Sequence, residues 1–316
     1  MHRIMFILLC SLISLSLAGA AAWFLAPAAA LRDLVVAVER KRAGLAAKTI
    51  LVRDQAVAYL DGGPVTDPAP ILLVHGSSGE KDNWNRIARF LTPRHRVIAI
   101  DLPGFGDSPR WPVHDIGLQG QVAALAAIVD ALGLPRLHLG GNSMGARVAA
   151  LYAAAYPDRV RSLWLPGPSG VLSAMPSDLL RHLQAGGDNP LFIRSTKDYP
   201  AYLGWLMAHP PSIPAPIRRA LAERALGKAD FHRRVFDAFA RETASLELSI
   251  SGMTVPTRIV WGEHDRIWHV SGATLLADRL ARASLLLLPC GHLPMIEMPE
   301  AVAADYLAFL SSLPTS

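Results

Sequence analysis

Two hydrophobic periods take turns along most of this chain. Six short runs have few polar breaks: "APILLVHG" (69–76), "HRVIAID" (95–101), "LHLGG" (137–141), "VRSLWL" (160–165), "TRIVWGEHD" (257–265) and "SLLLLP" (284–289). Such runs, bounded by turn residues, predict strands covered on both faces. Between them, "DNWNRIARFL" (82–91), "GQVAALAAIVDAL" (120–132), "MGARVAALYAAAY" (144–156), the stretch from Gly272 to Leu280 and the residues after Pro299 carry a helical period. Strands alternating with helices predict an α/β fold with a mostly parallel sheet flanked by helices. Ahead of them, "KTILVRDQAVAYLDGG" (48–63) alternates residue by residue and ends in a turn, the pattern of a hairpin. The alternation stops near Pro168. From Gly170 to Ser249 the chain shows helical stretches, the proline-rich "HPPSIPAP" and scattered aromatics, which predicts a helical cap over the sheet's carboxyl edge, where open α/β sheets bind ligands.

The amino end has a third pattern. From Ile4 to Ala26 no residue is charged, a length that spans a bilayer as a helix. The segment also reads as a secretory signal, with His2 and Arg3 in front and an "AGA" for cleavage. Its length and the interfacial Trp23 favour a retained anchor. Beyond it, Leu31, Leu34, Val35, Val38 and Leu45 make one helical stripe, an amphipathic juxtamembrane helix. The expected division is thus anchor or signal 1–27, amphipathic helix 28–47, core 48–168, cap 169–250 and the rest of the core 251–316.

Charge sharpens this picture. Between Arg32 and Arg53 lie six basic and two acidic residues, so +4 of the formal +5 is concentrated there. A basic amphipathic helix beside a span suits an anionic lipid surface, or else packs on the main domain. With no basic and aromatic cluster elsewhere, nucleic acid is not an expected partner. Basic residues after the span favour a cytoplasmic side, whereas a signal-anchor with Arg3 inside exports the main domain. Ala18 and Ala22 form a small-xxx-small pair, a signal for a homodimer through the amino-terminal helices. Two cysteines, Cys10 and Cys290, give no disulfide framework, and no metal-ligand spacing occurs.

The chemistry centres on Gly141-Asn142-Ser143-Met144-Gly145, a G-x-S-x-G string between a predicted strand and a predicted helix. In that context the serine sits on a strained turn with its hydroxyl projecting, a candidate nucleophile. A hydroxyl needs a base, and the base an orienting acid, in the chain order Ser, Asp or Glu, His. Asp265 and His292 fit that order and follow predicted strands; Glu263 is a rival acid, and His209, His232 and His269 read as surface or cap histidines. The N–H of Met144 and that of Ser77, in "HGSSGEKDNW", are the candidate oxyanion donors, with His75 fixing the loop. Tyr199, Tyr202, Trp205, Phe231, Phe236 and Phe239 fall in the cap, where some could line an acyl tunnel.

From Lys48 to Ser312 the chain resembles the α/β-hydrolase superfamily. "HGSSGEKDNW", "DLPGFGDS", "GNSMGARVAALYAAAYPDRV", "WGEHDRIWHVSGATLLADRL" and "CGHLPMIEMPE" resemble the membrane-anchored monoacylglycerol lipases, bacterial family V lipases and inner-membrane phospholipases. The resemblance implies a serine carboxylester hydrolase acting on glycerolipid acyl esters with no cofactor. It implies Ser143, Asp265 and His292 as the triad, Ser77 and Met144 as the oxyanion hole, and a single-pass anchor in a bacterial inner membrane with the catalytic domain facing the periplasm. Ser77 stands where those lipases usually carry a phenylalanine, which opens the pocket wall, and Ala146 where a glycine commonly stands. Two other readings stay in view: a hydrolase of small soluble esters or carbon–carbon bonds, and an inactive binding scaffold.

Overall fold

All of the predicted strands join a single sheet. The computed structural model describes residues 27–65, 69–112 and 115–314. Its strands are β1 (Leu45–Val52), β2 (Gln55–Gly62), β3 (Ile71–Val74), β4 (Val97–Ile100), β5 (Leu137–Gly141), β6 (Val160–Pro166), β7 (Thr257–Gly262) and β8 (Ala283–Leu288). They form an eight-stranded sheet in the order β1-β2-β4-β3-β5-β6-β7-β8. The β1–β2 hairpin pairs antiparallel and joins β4 antiparallel, while β4, β3, β5, β6, β7 and β8 run parallel. The hairpin turns at Arg53 and Asp54, whose φ angles of 49° and 62° are those of a two-residue type I′ turn.

Side-chain alternation explains why the central strands are apolar throughout. Leu72 and Val74 of β3 join a core with Ile98, Ile100, Leu125 and Val148 on one face. Ile71 and Leu73 join Trp84, Ile87, Leu91, Trp164 and Tyr306 on the other. The first face is covered by α3 (Leu118–Ala131), α4 (Met144–Ala155) and α10 (Ser271–Ala277), and the second by α2 (Asn85–Leu91) and α12 (Pro299–Ser311). Between β6 and β7 the chain is helical, with α5 (Asp178–Gln184), α6 (Tyr199–Leu206), α7 (Ala215–Gly227), α8 (Ala229–Ala240) and α9 (Leu246–Ser249). A short α11 (Pro294–Glu297) follows β8.

The helix expected over 28–47 is shorter. It spans Ala28–Arg42 as α1, and Gly44, with φ +65°, ends it. Leu45, counted in the helical stripe, is already in β1 opposite Gly62. Of the stripe, Leu31 is buried, whereas Leu34 and Val38 are 57% and 40% exposed. Arg40 holds α1 to the domain with two hydrogen bonds to the Asp82 carboxylate, 2.7 and 2.6 Å. Among the described residues no helix is long and apolar enough to cross a membrane. The apolar stretch from Ile4 to Ala26, with Ala18 and Ala22, lies outside the described residues.

Candidate active site

Sequence spacing at the elbow has a direct steric cause. Strand β5 ends at Gly141 and α4 begins at Met144, so the chain reverses over Asn142 and Ser143. A Cβ on Gly141 would lie 2.4 Å from the Gly145 carbonyl oxygen. One on Gly145 would lie 2.3 and 2.4 Å from the carbonyl oxygens of Val74 and His75. Any larger side chain at either position would push helix and strand apart. Ser143 itself takes φ 56° and ψ −118°, a conformation that costs a non-glycine residue about 1–3 kcal/mol. Backbone bonds hold the turn: Ser143 N–H donates to the Pro166 oxygen (3.3 Å) and Gly145 N–H to the Asn142 oxygen (2.8 Å).

Asp265 and His292 meet after the ends of β7 and β8. His292 Nδ1 lies 2.8 Å from Asp265 Oδ2, with both residues buried. The other carboxylate oxygen, Oδ1, accepts the backbone N–H groups of Ile267 (2.8 Å) and Trp268 (3.0 Å), which fixes the carboxylate plane. Glu263 is exposed, so the turn selects Asp265 over that rival. Ser143 and His292 line one small pocket of about 60 Å³ with Ser77, Asn142, Tyr202 and Leu206.

Two further residues, Asn142 and Glu297, hold the histidine loop. Asn142 Nδ2 donates to the carbonyls of Pro166 (2.9 Å) and His292 (3.2 Å), tying the elbow to the loop 150 residues away. The Glu297 carboxylate accepts the N–H of Gly291 (2.8 Å) through Oε1 and that of His209, in the cap, (2.9 Å) through Oε2. The His292 N–H donates to the Leu206 carbonyl at the end of α6, 2.8 Å. The variable position of G-x-S-x-G and a glutamate near a helix end carry no sequence signal for such work.

The two candidate oxyanion donors flank Ser143. Met144 is the first residue of α4, and the first N–H groups of a helix have no intrahelical acceptor. Ser77 follows Gly76, where an added Cβ would lie 3.3 Å from the Ser143 Cβ, so this loop runs alongside the elbow. His75 is wholly buried and locks the loop: its Nε2 accepts the Leu102 N–H (3.2 Å) and its Nδ1–H donates to the Gly76 oxygen (2.8 Å). Burial pulls its pKa down to about 4, which keeps the ring neutral at pH 7.

Two larger cavities adjoin the small pocket. One, of about 330 Å³, reaches Ser77, Ser143 and Met144 and is walled by Leu172, Leu180, Leu183, Val235, Phe236 and Phe239. The other, of about 230 Å³, carries Glu39, Glu80, Arg86, Arg224 and Lys228. Phe236 and Phe239 thus line the apolar cavity, whereas Tyr199 and Tyr202 line the charged one. Phe231 is packed against Phe105 at 5.1 Å, and Trp205 lies under the Arg266 guanidinium at 3.8 Å. Cys290 is buried, and burial pushes its thiol up to about 12, out of reach of thiolate chemistry at neutral pH. Among the described residues no group of three or more His, Cys, Asp or Glu is placed to hold a metal ion.

Residues 69–192 match the family model of the alpha/beta hydrolase fold. Lipase 1 of Psychrobacter immobilis is 32% identical over 284 residues, covering 88% of each chain. Monoacylglycerol lipase ABHD6 of Homo sapiens is 30% identical over 285 residues, 87% of this chain and 85% of that protein. The crystal structure of a membrane phospholipase A, a bacterial virulence factor, superposes with a TM-score of 0.87 at 38% identity, covering 98% of each chain. By this likeness and by the eight-stranded sheet with its strained serine elbow, the chain belongs to the α/β-hydrolase family, in the group that holds these lipases.

Proposed function

We propose that this protein is a carboxylic ester hydrolase that cleaves acyl esters of glycerolipids through an acyl-enzyme on Ser143. One observation carries the reading. Ser143 lines both the small pocket that holds His292 and the apolar cavity, so a reacting carbonyl and its acyl chain each have a place. In this mechanism His292 takes the Ser143 proton through Nε2 as the hydroxyl oxygen attacks the ester carbonyl. Asp265 holds the Nδ1–H tautomer and stabilises the imidazolium. The oxyanion is met by the N–H groups of Ser77 and Met144, each such donor contributing about 3 kcal/mol to the transition state. His292 then gives its proton to the leaving alcohol. Water repeats the sequence on the acyl-enzyme and releases the fatty acid.

The lipid substrate class rests on the names of the relatives and on the cavity, whose size lies in the range of ligand pockets of about 300–1,000 Å³. Membrane association rests on the relatives and on the uncharged Ile4–Ala26 stretch. In this reading the stretch is a single-pass anchor in a bacterial inner membrane, with the catalytic domain on the periplasmic side. Full-length protein in detergent, assayed on a panel of phospholipids, lysophospholipids and monoacylglycerols, is expected to release fatty acid, and Ser143→Ala to abolish release. Turnover confined to short water-soluble esters would overturn the lipid assignment.

A further inference from the structure

A cation lies in the wall of the apolar cavity. Arg147 stands one helical turn beyond Ser143 on α4, its N–H donating to the Ser143 carbonyl at 3.2 Å. The residue is 4% exposed, yet it lines the cavity that Ser143 and Met144 reach. Among the described residues the guanidinium has one hydrogen-bond acceptor, the Ala244 carbonyl, 2.7 Å from Nη2. Of its five donors the described residues engage one, so the rest are left for what enters the cavity. Gly170 makes the room: a Cβ there would lie 2.7–2.8 Å from Nε, Cδ and Cζ of Arg147.

Polar groups converge on the same wall. Ser169, 7% exposed, lines the cavity with its Oγ lacking any partner, and Glu242 lines it too. Glu242 and Glu247 both act on Arg147 through space. Two carboxylates around one guanidinium oppose an anionic ligand. A neutral hydroxyl suits all three side chains, accepting from Arg147 while it donates to Ser169 or Glu242.

We propose that Arg147, Ser169 and Glu242 form a subsite for a hydroxyl carried by whichever part of the substrate fills the apolar cavity. The proposal rests on Ser143 being the nucleophile. Arg147 and Ser143 line the same cavity, so the hydroxyl sits on a part of the substrate within that cavity's reach of the scissile carbonyl. Two parts of an acyl ester meet that requirement: a hydroxylated acyl chain and the glycerol of the leaving group.

The test reads ratios of kcat/KM in two arms. The first compares p-nitrophenyl esters of decanoate and of hydroxydecanoates, with a constant leaving group. The second compares monodecanoylglycerol with methyl decanoate, with a constant acyl chain. Wild type is expected to favour the hydroxylated partner roughly tenfold in one arm, the scale of one charge-assisted hydrogen bond. Arg147→Leu is expected to erase that ratio, and Ser169→Ala, which removes no bond within the protein, to lower it. The arm that responds names the source of the hydroxyl. Arg147→Leu leaves Glu242 and the buried Glu247 without the cation that faces them, a destabilising change, so melting curves check that the variant folds; Ser169→Ala gives the answer if it does not. A wild type that labels at Ser143 with a fluorophosphonate and cleaves plain esters without preference in either arm overturns the subsite alone. So does a preference that survives Arg147→Leu or, where that variant does not fold, Ser169→Ala. A wild type that neither labels nor cleaves overturns the nucleophile first, and the subsite with it.

Discussion

Replacing Asp265 by asparagine tests the histidine–acid pair with almost no change of shape. The carboxylate is oriented by its surroundings: Oδ1 accepts two backbone N–H groups, from Ile267 and Trp268, and Oδ2 faces His292 Nδ1 at 2.8 Å. An asparagine must keep its carbonyl oxygen on the two N–H groups, since its NH2 there would set donor against donor. Its NH2 therefore points at His292 and favours the tautomer with a bare Nδ1 and a protonated Nε2. That ring cannot accept the Ser143 proton. In serine hydrolases this tautomer error costs about 10⁴ in kcat, or roughly 5.4 kcal/mol of transition-state stabilisation. The assay is kcat on a p-nitrophenyl ester at pH 7, beside a thermal melt, with Glu263→Gln as the exposed control. A loss below about tenfold in Asp265→Asn with an intact melt, or an equal loss in Glu263→Gln, would refute the reasoning.

Three other outcomes follow from the same geometry. Asn142→Ala takes the Nδ2 donor from the His292 carbonyl and from that of Pro166, which keeps the Ser143 N–H; a loss of about 1–3 kcal/mol of stability is expected in denaturant melts, with a fall in kcat. His75 and His232 are both pulled down to about 4 by burial, below the usual 6.5. Their contribution is complete above about pH 6.5 and is lost as pH falls toward 4, so stability should drop by up to about 1.4 kcal/mol per pH unit for each. Urea melts at pH 7.5 and 5 measure the slope, which His232→Gln should roughly halve. Arg40→Ala removes the paired hydrogen bonds between α1 and Asp82; about 1–3 kcal/mol of lost stability is expected, with strong coupling to Asp82→Asn in a double-mutant cycle.

The periodicities made the sheet legible because β3, β4 and β5 are buried on both faces and leave no polar break. The overlong amino-terminal helix came from following apolar spacing as far as Leu45 while Gly44, a helix-ending residue, sat one position before it. Ser143 was readable because the elbow's close approaches demand glycine at fixed offsets on both sides. The acid was harder, since Glu263, His264 and Asp265 are consecutive and only the folded turn decides which one reaches His292. Asn142, Glu297 and Arg147 were hidden for one common reason. Each acts on a partner far along the chain, at separations of 150 residues for Asn142 and His292, 88 for Glu297 and His209, and 97 for Arg147 and Ala244. Arg147 in particular sits in an alanine-rich helical run, where an arginine reads as a solvent-facing residue until the cap is in place.

The most direct measurement is mass-spectrometric mapping of the adduct formed by a fluorophosphonate probe. A single adduct on Ser143, absent from Ser143→Ala and formed far more slowly in His292→Ala, is the expected result. An adduct on another residue, or ester hydrolysis that persists in Ser143→Ala, would contradict the account.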